Sequence, residues 1–118
     1  MVDKPHLDEE ALAELRDVME DEFEMLIQTY LGDSKERIDS LKGAVMAGDS
    51  DAFIKTAHSF KGSCINIGAP RLGELCRKAE KVGQNESLAE APPVLEEIDE
   101  EFQRVTEAFG ALMERGTG

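Results

Sequence analysis

The most reactive side chain in the sequence is a histidine that stands in a helical stretch, away from the apolar face of that stretch. Residues 58 to 68 read HSFKGSCINIG. Apolar residues around it recur at helical spacing, and they are Phe53, Ala57, Phe60, Cys64 and Ile67. At about 100° per residue, His58 lies roughly 140° from Phe53. An exposed neutral imidazole there is a nucleophile that could attack a phosphoryl group.

Two neighbours on the same predicted helix suit such a nucleophile. Lys61 and Gly62 follow His58 at i+3 and i+4, where a helical neighbour can reach it. A lysine there can place a cation beside phosphoryl oxygens. Because glycine is costly inside a helix, Gly62 indicates a need for clearance, where the active site of a partner must approach.

The elements that must position these residues are helical throughout, since no segment shows sustained strand alternation. Asp8 is a suitable N-cap for the first helix. Five apolar stripes follow, and they run from Leu12 to Met19, Phe23 to Val45, Phe53 to Ile67, Leu72 to Val82 and Leu95 to Leu112. The polar stretch from Gln84 to Pro93 is predicted as a loop. Short connections favour an all-α fold, an antiparallel up-down four-helix bundle with an additional short N-terminal helix. Residues 1–118 are expected to form one domain, with the bundle spanning about 8–114.

Composition narrows the classes of partner. The 118 residues include 26 acidic and 13 basic side chains, for a net charge of −13, which disfavours nucleic acid and anionic membrane surfaces. The sequence has no apolar run of membrane-spanning length and starts without a signal peptide, so we expect a cytoplasmic protein. Cys64 and Cys76 fall on apolar stripes and are expected to be buried free thiols, with a disulfide left open.

The segment around the histidine resembles the histidine-containing phosphotransfer (HPt) domain. The family pattern is His, any residue, an apolar residue, Lys and Gly, with another Gly ten positions after the His, and residues 57–63 and Gly68 match it. The helix order and nearly the whole length are also similar. The resemblance implies a freestanding bacterial phosphorelay protein that accepts a phosphoryl group on His58 from a receiver-domain aspartate and passes it to another receiver.

The resemblance also assigns a second group that orients the imidazole. In the family, a polar residue on the next helix, twenty-two positions after the His, has this role, and here that position is Glu80. A carboxylate can accept a hydrogen bond from the ring nitrogen that does not react, which fixes the tautomer. The alternative is that Glu80 is an ordinary solvated helix residue.

Four further residues are candidates for contact with a partner. Ile54 and Ile65 flank the histidine on its helix, and at least one of them is expected to be exposed and to dock a partner domain. The alternative is that neighbouring helices cover both. Arg77 and Lys81 belong to a basic stretch near Glu80 that could contact the phosphoryl group or acidic groups of a partner, although such charges are usually only solvated.

The resemblance implies two partners, the receiver domains of a hybrid sensor histidine kinase and of a response regulator. The protein itself is expected to be a monomer. The sequence has no nucleotide-binding motif, so the protein is expected to be a phosphoryl carrier that shares an active site with its partner, not a kinase. We expect no cofactor of its own, with Mg²⁺ supplied by the receiver.

Two other functions compete with phosphoryl transfer. A metal site is disfavoured because His58, Cys64 and Cys76 lack ligand spacing, and His6 is expected on a mobile N-terminus. The main alternative is a helical-bundle adaptor that binds a signalling partner without phosphoryl transfer.

Overall fold

The computed structural model describes residues 4–116, and this part of the chain contains α-helices and short 3₁₀ turns without any strand. The helices are α1 (Glu9–Met19), α2 (Phe23–Ala47), α3 (Ser50–Ile67), α4 (Pro70–Gln84) and α5 (Ala91–Gly116). Helices α2 to α5 pack as an antiparallel four-helix bundle, and α1 lies against α2, so the predicted fold class is confirmed. Within the described residues, no helix is both long and apolar enough to cross a lipid bilayer.

Helix α3, which carries the histidine, has well-defined ends. The Asp49 side chain accepts a hydrogen bond from the Ala52 backbone N–H at 3.0 Å, which caps the N-terminus. Gly68 ends the helix with φ of 86°, a left-handed conformation that favours glycine. Pro70 then occupies the first turn of α4, where the absence of its N–H costs no hydrogen bond. These short connections hold α3 and α4 side by side.

The core follows the predicted stripes closely. The whole α3 stripe is buried, namely Phe53, Ala57, Phe60, Cys64 and Ile67. On α2 the stripe is buried from Phe23 to Leu41, but Ala44 then takes the inward position and Val45 is only partly buried. Ser34, the one polar residue on this stripe, is completely buried, as its position on the stripe predicts. The buried apolar stripe of α3 therefore determines which face of this helix points outward.

The connection before α5 differs from the prediction. The predicted bounds of this loop, Gln84 to Pro93, were wrong at both ends. Helix α4 includes Gln84, and α5 begins at Ala91, after a 3₁₀ turn over Leu88–Glu90. Pro92 and Pro93 therefore lie in the first turn of α5. The first backbone N–H groups of a helix have no intrahelical acceptor, so two prolines there remove no hydrogen bond of the helix.

The N-terminal segment is attached to the bundle. His6 is half-buried, and its Nδ1 lies 2.6 Å from Oε2 of Glu101, a buried carboxylate on α5. The Arg71 side chain donates to the Lys4 carbonyl at 2.8 Å. The expectation that His6 belongs to a mobile N-terminus was therefore wrong, because it rested on local composition, whereas the contact joins positions far apart in the sequence.

Candidate functional site

The ring of His58 projects from the outer face of α3. Its side chain is 67% exposed, although Ala57 beside it is completely buried. The predicted offset from the apolar stripe thus places an imidazole in solvent on a rigid helix. An imidazole held in this way is accessible to another protein and has little freedom to move.

A carboxylate on the neighbouring helix holds the ring. Glu80, on α4, lies with Oε2 at 3.0 Å from Nδ1 of His58, and its Oε1 accepts a hydrogen bond from Nζ of Lys61 at 2.8 Å. Because an ionised carboxylate only accepts hydrogen bonds, Nδ1 carries the ring hydrogen. In the neutral ring, Nε2 then has the free lone pair. The geometry therefore distinguishes the two ring nitrogens.

The charge of Glu80 is stabilised by the same contacts. The Lys61 ammonium and then the His58 ring hold the pKa of the Glu80 carboxyl below its ordinary value, against partial burial, which acts in the opposite direction. The Glu80 side chain is only 13% exposed. The carboxylate is therefore ionised at neutral pH and available as an acceptor for the ring.

Gly62 leaves space beside the histidine. Outside its own helix, no atom lies within 4 Å of the position that a Cβ would occupy. The absence of a side chain is thus not required by packing within this chain. Clearance for an approaching partner stays a prediction for this position.

The geometry agrees with comparisons against known proteins. Residues 25–108 match the Hpt domain family. The chain belongs to the histidine-containing phosphotransfer family. The solved structure of histidine-containing phosphotransfer protein B (HptB) from Pseudomonas aeruginosa PAO1 is 42% identical in sequence, with a TM-score of 0.90, and the match covers 94% of this chain and 96% of that chain. No curated protein matches the sequence.

Membership settles the function at the level of the family. This HPt protein is a histidine phosphotransfer protein of a phosphorelay. HPt domains are phosphocarriers rather than classical enzymes, and they interact with receiver domains of kinases and response regulators. The described part of the chain shows no kinase or nucleotide-binding fold. Phosphotransfer is thus supported over the adaptor function that the sequence left open.

The four residues predicted to contact a partner differ in exposure. Ile65 is 60% exposed, whereas Ile54 is partly buried and lies close to Gly83 on α4, where a Cβ would stand 2.7 Å from its Cγ1. Arg77 is exposed but forms an ion pair with Glu74 one turn earlier. Lys81 is also exposed. Among the described residues, Glu80 contacts both His58 and Lys61, while these four stay candidates for partner contact.

A cavity beside His58 was not anticipated from the sequence. It has a volume of about 560 Å³ and opens between α2 and α3. His58, Ser59 and Gly62 line it from α3, and Asp33 and Arg37 line it from α2. The sequence carries one signal for it, an arginine that follows the buried Tyr30 by seven residues and so lies near the apolar stripe of α2.

The described residues contain no group of three or more His, Cys, Asp or Glu side chains that could hold a metal ion. Cys64 and Cys76 are buried free thiols, as predicted. The Tyr30 hydroxyl lies 3.2 Å from the Cys64 sulfur, and contact with Cys64 together with burial raises the pKa of the Cys76 thiol. Both cysteines therefore belong to the core and not to the site.

Proposed function

We propose that Nε2 of His58 accepts the phosphoryl group from an aspartyl phosphate of one receiver domain and passes it to the aspartate of another. The observation that carries this proposal is the contact between Nδ1 of His58 and Glu80 at 3.0 Å on an exposed ring. It leaves Nε2 as the accessible lone pair.

In the proposed step, the Nε2 lone pair forms a bond to phosphorus while the bond between phosphorus and the aspartyl oxygen breaks. The bonding electrons leave with that oxygen, which becomes a carboxylate. The imidazole gains a positive charge and keeps its hydrogen on Nδ1, where the ionised Glu80 accepts it. Transfer onward reverses these changes, so Glu80 stabilises the ring in both directions.

Lys61 and Gly62 support this step in different ways. Lys61 forms an ion pair with Glu80, so in the free protein the lysine charge offsets that of the carboxylate. It also lies near enough to the ring to place a cation beside phosphoryl oxygens when a partner is docked. Gly62 gives the partner's active site room to approach, since nothing in this chain fills the space. The site is thus half of an active site, completed by the receiver.

The remaining parts of the proposal concern the partners. A monomer would meet the receiver domains of a hybrid sensor histidine kinase and of a response regulator, with docking contacts from Ile54, Ile65, Arg77 and Lys81. The receiver would supply Mg²⁺, because aspartyl-phosphate sites are rich in carboxylates that bind it. The buried free thiols fit a reducing compartment such as the cytoplasm.

The test is transfer from a radiolabelled, phosphorylated receiver domain to the purified protein. We expect label on the wild type and none on His58→Gln, with the same helical content in both by circular dichroism. His6→Gln is the matched control and should accept label as the wild type does. Absence of label on the wild type with each cognate receiver would favour the adaptor, and equal labelling of His58→Gln would refute the assignment of the site.

A further inference from the structure

Arg37 occupies an unusual place on α2. It follows Tyr30 by seven residues, so it lies only about 20° around the helix from a buried stripe position. Its side chain is partly buried, unlike the exposed Lys35 and Lys42 on the same helix. An arginine at such a position buries its stem and directs its guanidinium to the edge of the core. That edge is the cavity beside His58.

The charge of Arg37 is not paired within the described part of the chain. It takes part in none of the ion pairs there, although the sequence contains 26 acidic residues. Asp33, one turn earlier on α2, also lines the cavity beside His58, but it forms no ion pair with Arg37. Lys61 and Arg77 are each paired with a carboxylate, and the cavity is lined by neither of them. Arg37 thus retains its donors for a ligand.

The orientation of the ring gives that ligand a position. Nδ1 of His58 faces Glu80 on α4, so Nε2 lies on the opposite edge of the ring. The ring also lines the cavity that Arg37 lines from α2. A group attached to Nε2 therefore projects away from α4, on the side of the site where Arg37 is the cation.

A phosphoryl group brings a charge of about −2 that the existing contacts do not balance. The charge of Lys61 is already offset by Glu80 at 2.8 Å. A guanidinium matches phosphoryl oxygens with two parallel donors, which a lysine does not. We propose that Arg37 binds the phosphoryl oxygens on Nε2 of His58 and holds the phosphorylated ring at the α2–α3 cavity. This inference rests on the proposed function and assigns a further residue to it.

The first test does not need a receiver. Phosphoramidate can phosphorylate the protein directly: Nε2 attacks phosphorus, the bond from phosphorus to the donor nitrogen breaks, and ammonia leaves. The pH titration of the phosphoryl group is then followed by ³¹P NMR, with His58→Gln identifying signals from His6. In Arg37→Gln we expect the phosphoryl midpoint to rise by about one pH unit, since a nearby cation favours the dianion. Lys35→Gln, which removes a charge from the opposite side of α2, should leave it unchanged.

The second test measures transfer from a phosphorylated receiver. Arg37→Gln should slow it by about tenfold, as expected for loss of a charge-assisted hydrogen bond, and Arg37→Lys should recover part of the rate. Arg37→Lys also preserves the charge and stem if Arg37→Gln proves unstable. If Arg37→Gln and Lys35→Gln have the same phosphoryl titration midpoint and the same transfer rate, the proposed role of Arg37 is refuted. The proposed phosphoryl transfer by His58 is not affected by that result. A shifted midpoint in a protein that no receiver phosphorylates would support Arg37 while refuting the relay.

Discussion

Among residues 4–116, two histidine–glutamate contacts occur, and they differ in what surrounds them. His58 and Glu80 lie 3.0 Å apart, with side chains that are 67% and 13% exposed. His6 and Glu101 lie 2.6 Å apart, with side chains that are 40% and 5% exposed. The first pair joins two adjacent helices, whereas the second joins the N-terminal segment to α5. The same two chemical groups therefore occur once on an open face and once over the core.

The difference shows that a histidine–carboxylate contact does not by itself indicate group transfer. At His58 the carboxylate is also bonded to Lys61, and Gly62 leaves open space beside the ring. At His6 the carboxylate is buried, and the histidine holds it from the N-terminal segment. We propose that the first pair orients a nucleophile for a partner, whereas the second attaches the N-terminal segment to α5.

The largest expected difference is in the rate of transfer. Glu80→Ala removes the acceptor that fixes the ring and stabilises its positive charge, so transfer from a phosphorylated receiver should slow by about tenfold to a hundredfold. Glu101→Ala should leave the rate unchanged at temperatures where the protein is folded. Rapid-quench kinetics with both variants measures this. Equal slowing in the two would mean that the pairs do not differ in function.

The converse difference is expected in stability. His6→Ala leaves the buried Glu101 carboxylate without its hydrogen bond to the imidazole, which should lower the free energy of unfolding by about 1–3 kcal/mol. His58→Ala removes an exposed ring, and Glu80 keeps Lys61, so the change should stay within about 0.5 kcal/mol. Urea denaturation of both variants compares them. A larger loss in His58→Ala would contradict the assignment of His6 as the structural member.

A smaller effect concerns the open space beside His58. Gly62→Ala and Gly43→Ala each replace a helical glycine with nothing packed against it, so each should raise stability by up to about 1 kcal/mol. Gly43 lies on α2 and serves as the matched control. We expect only Gly62→Ala to slow transfer, because only that methyl group stands in the partner's path. Unimpaired transfer by Gly62→Ala would remove the clearance role.

The smallest effect is a dependence of stability on pH. Because the pKa of Glu80 is lowered in the folded protein, its ionised form contributes stability that is present above the unfolded-state pKa, about 4.3, and is lost as the pH falls through the folded pKa. Glu80→Gln should therefore be less stable than the wild type at pH 7, and the difference should close in acid. Unfolding curves at several pH values measure it, and a difference that widens in acid would mean that folding raises the pKa of Glu80 instead.

The sequence predicted the fold and the exposed position of His58 because both depend on local spacing. The stripe from Phe53 to Ile67 determines which face of α3 is buried, and the position of His58 follows from it. The contact with Glu80 could be predicted only through the family resemblance, since nothing local links residues on separate helices. The loop before α5 was misjudged because two prolines are compatible with a first helical turn.

Long-range contacts were beyond the reach of the sequence. The attachment of His6 joins positions 95 residues apart, and no spacing pattern signals it. The cavity that Arg37 and His58 both line depends on how α2 packs on α3. In both cases tertiary packing decides which polar groups come together, whereas apolar periodicity reports only which face is buried.

The most direct measurement is ¹H–¹⁵N correlation NMR of the histidine side chains before and after phosphorylation by a receiver domain. We predict a new bond between phosphorus and Nε2 of His58, seen as one-bond coupling, with a hydrogen retained on Nδ1 and the resonances of His6 unchanged. Phosphorylation at Nδ1 of His58, or at His6, would contradict the assignment of Nε2 as the nucleophile.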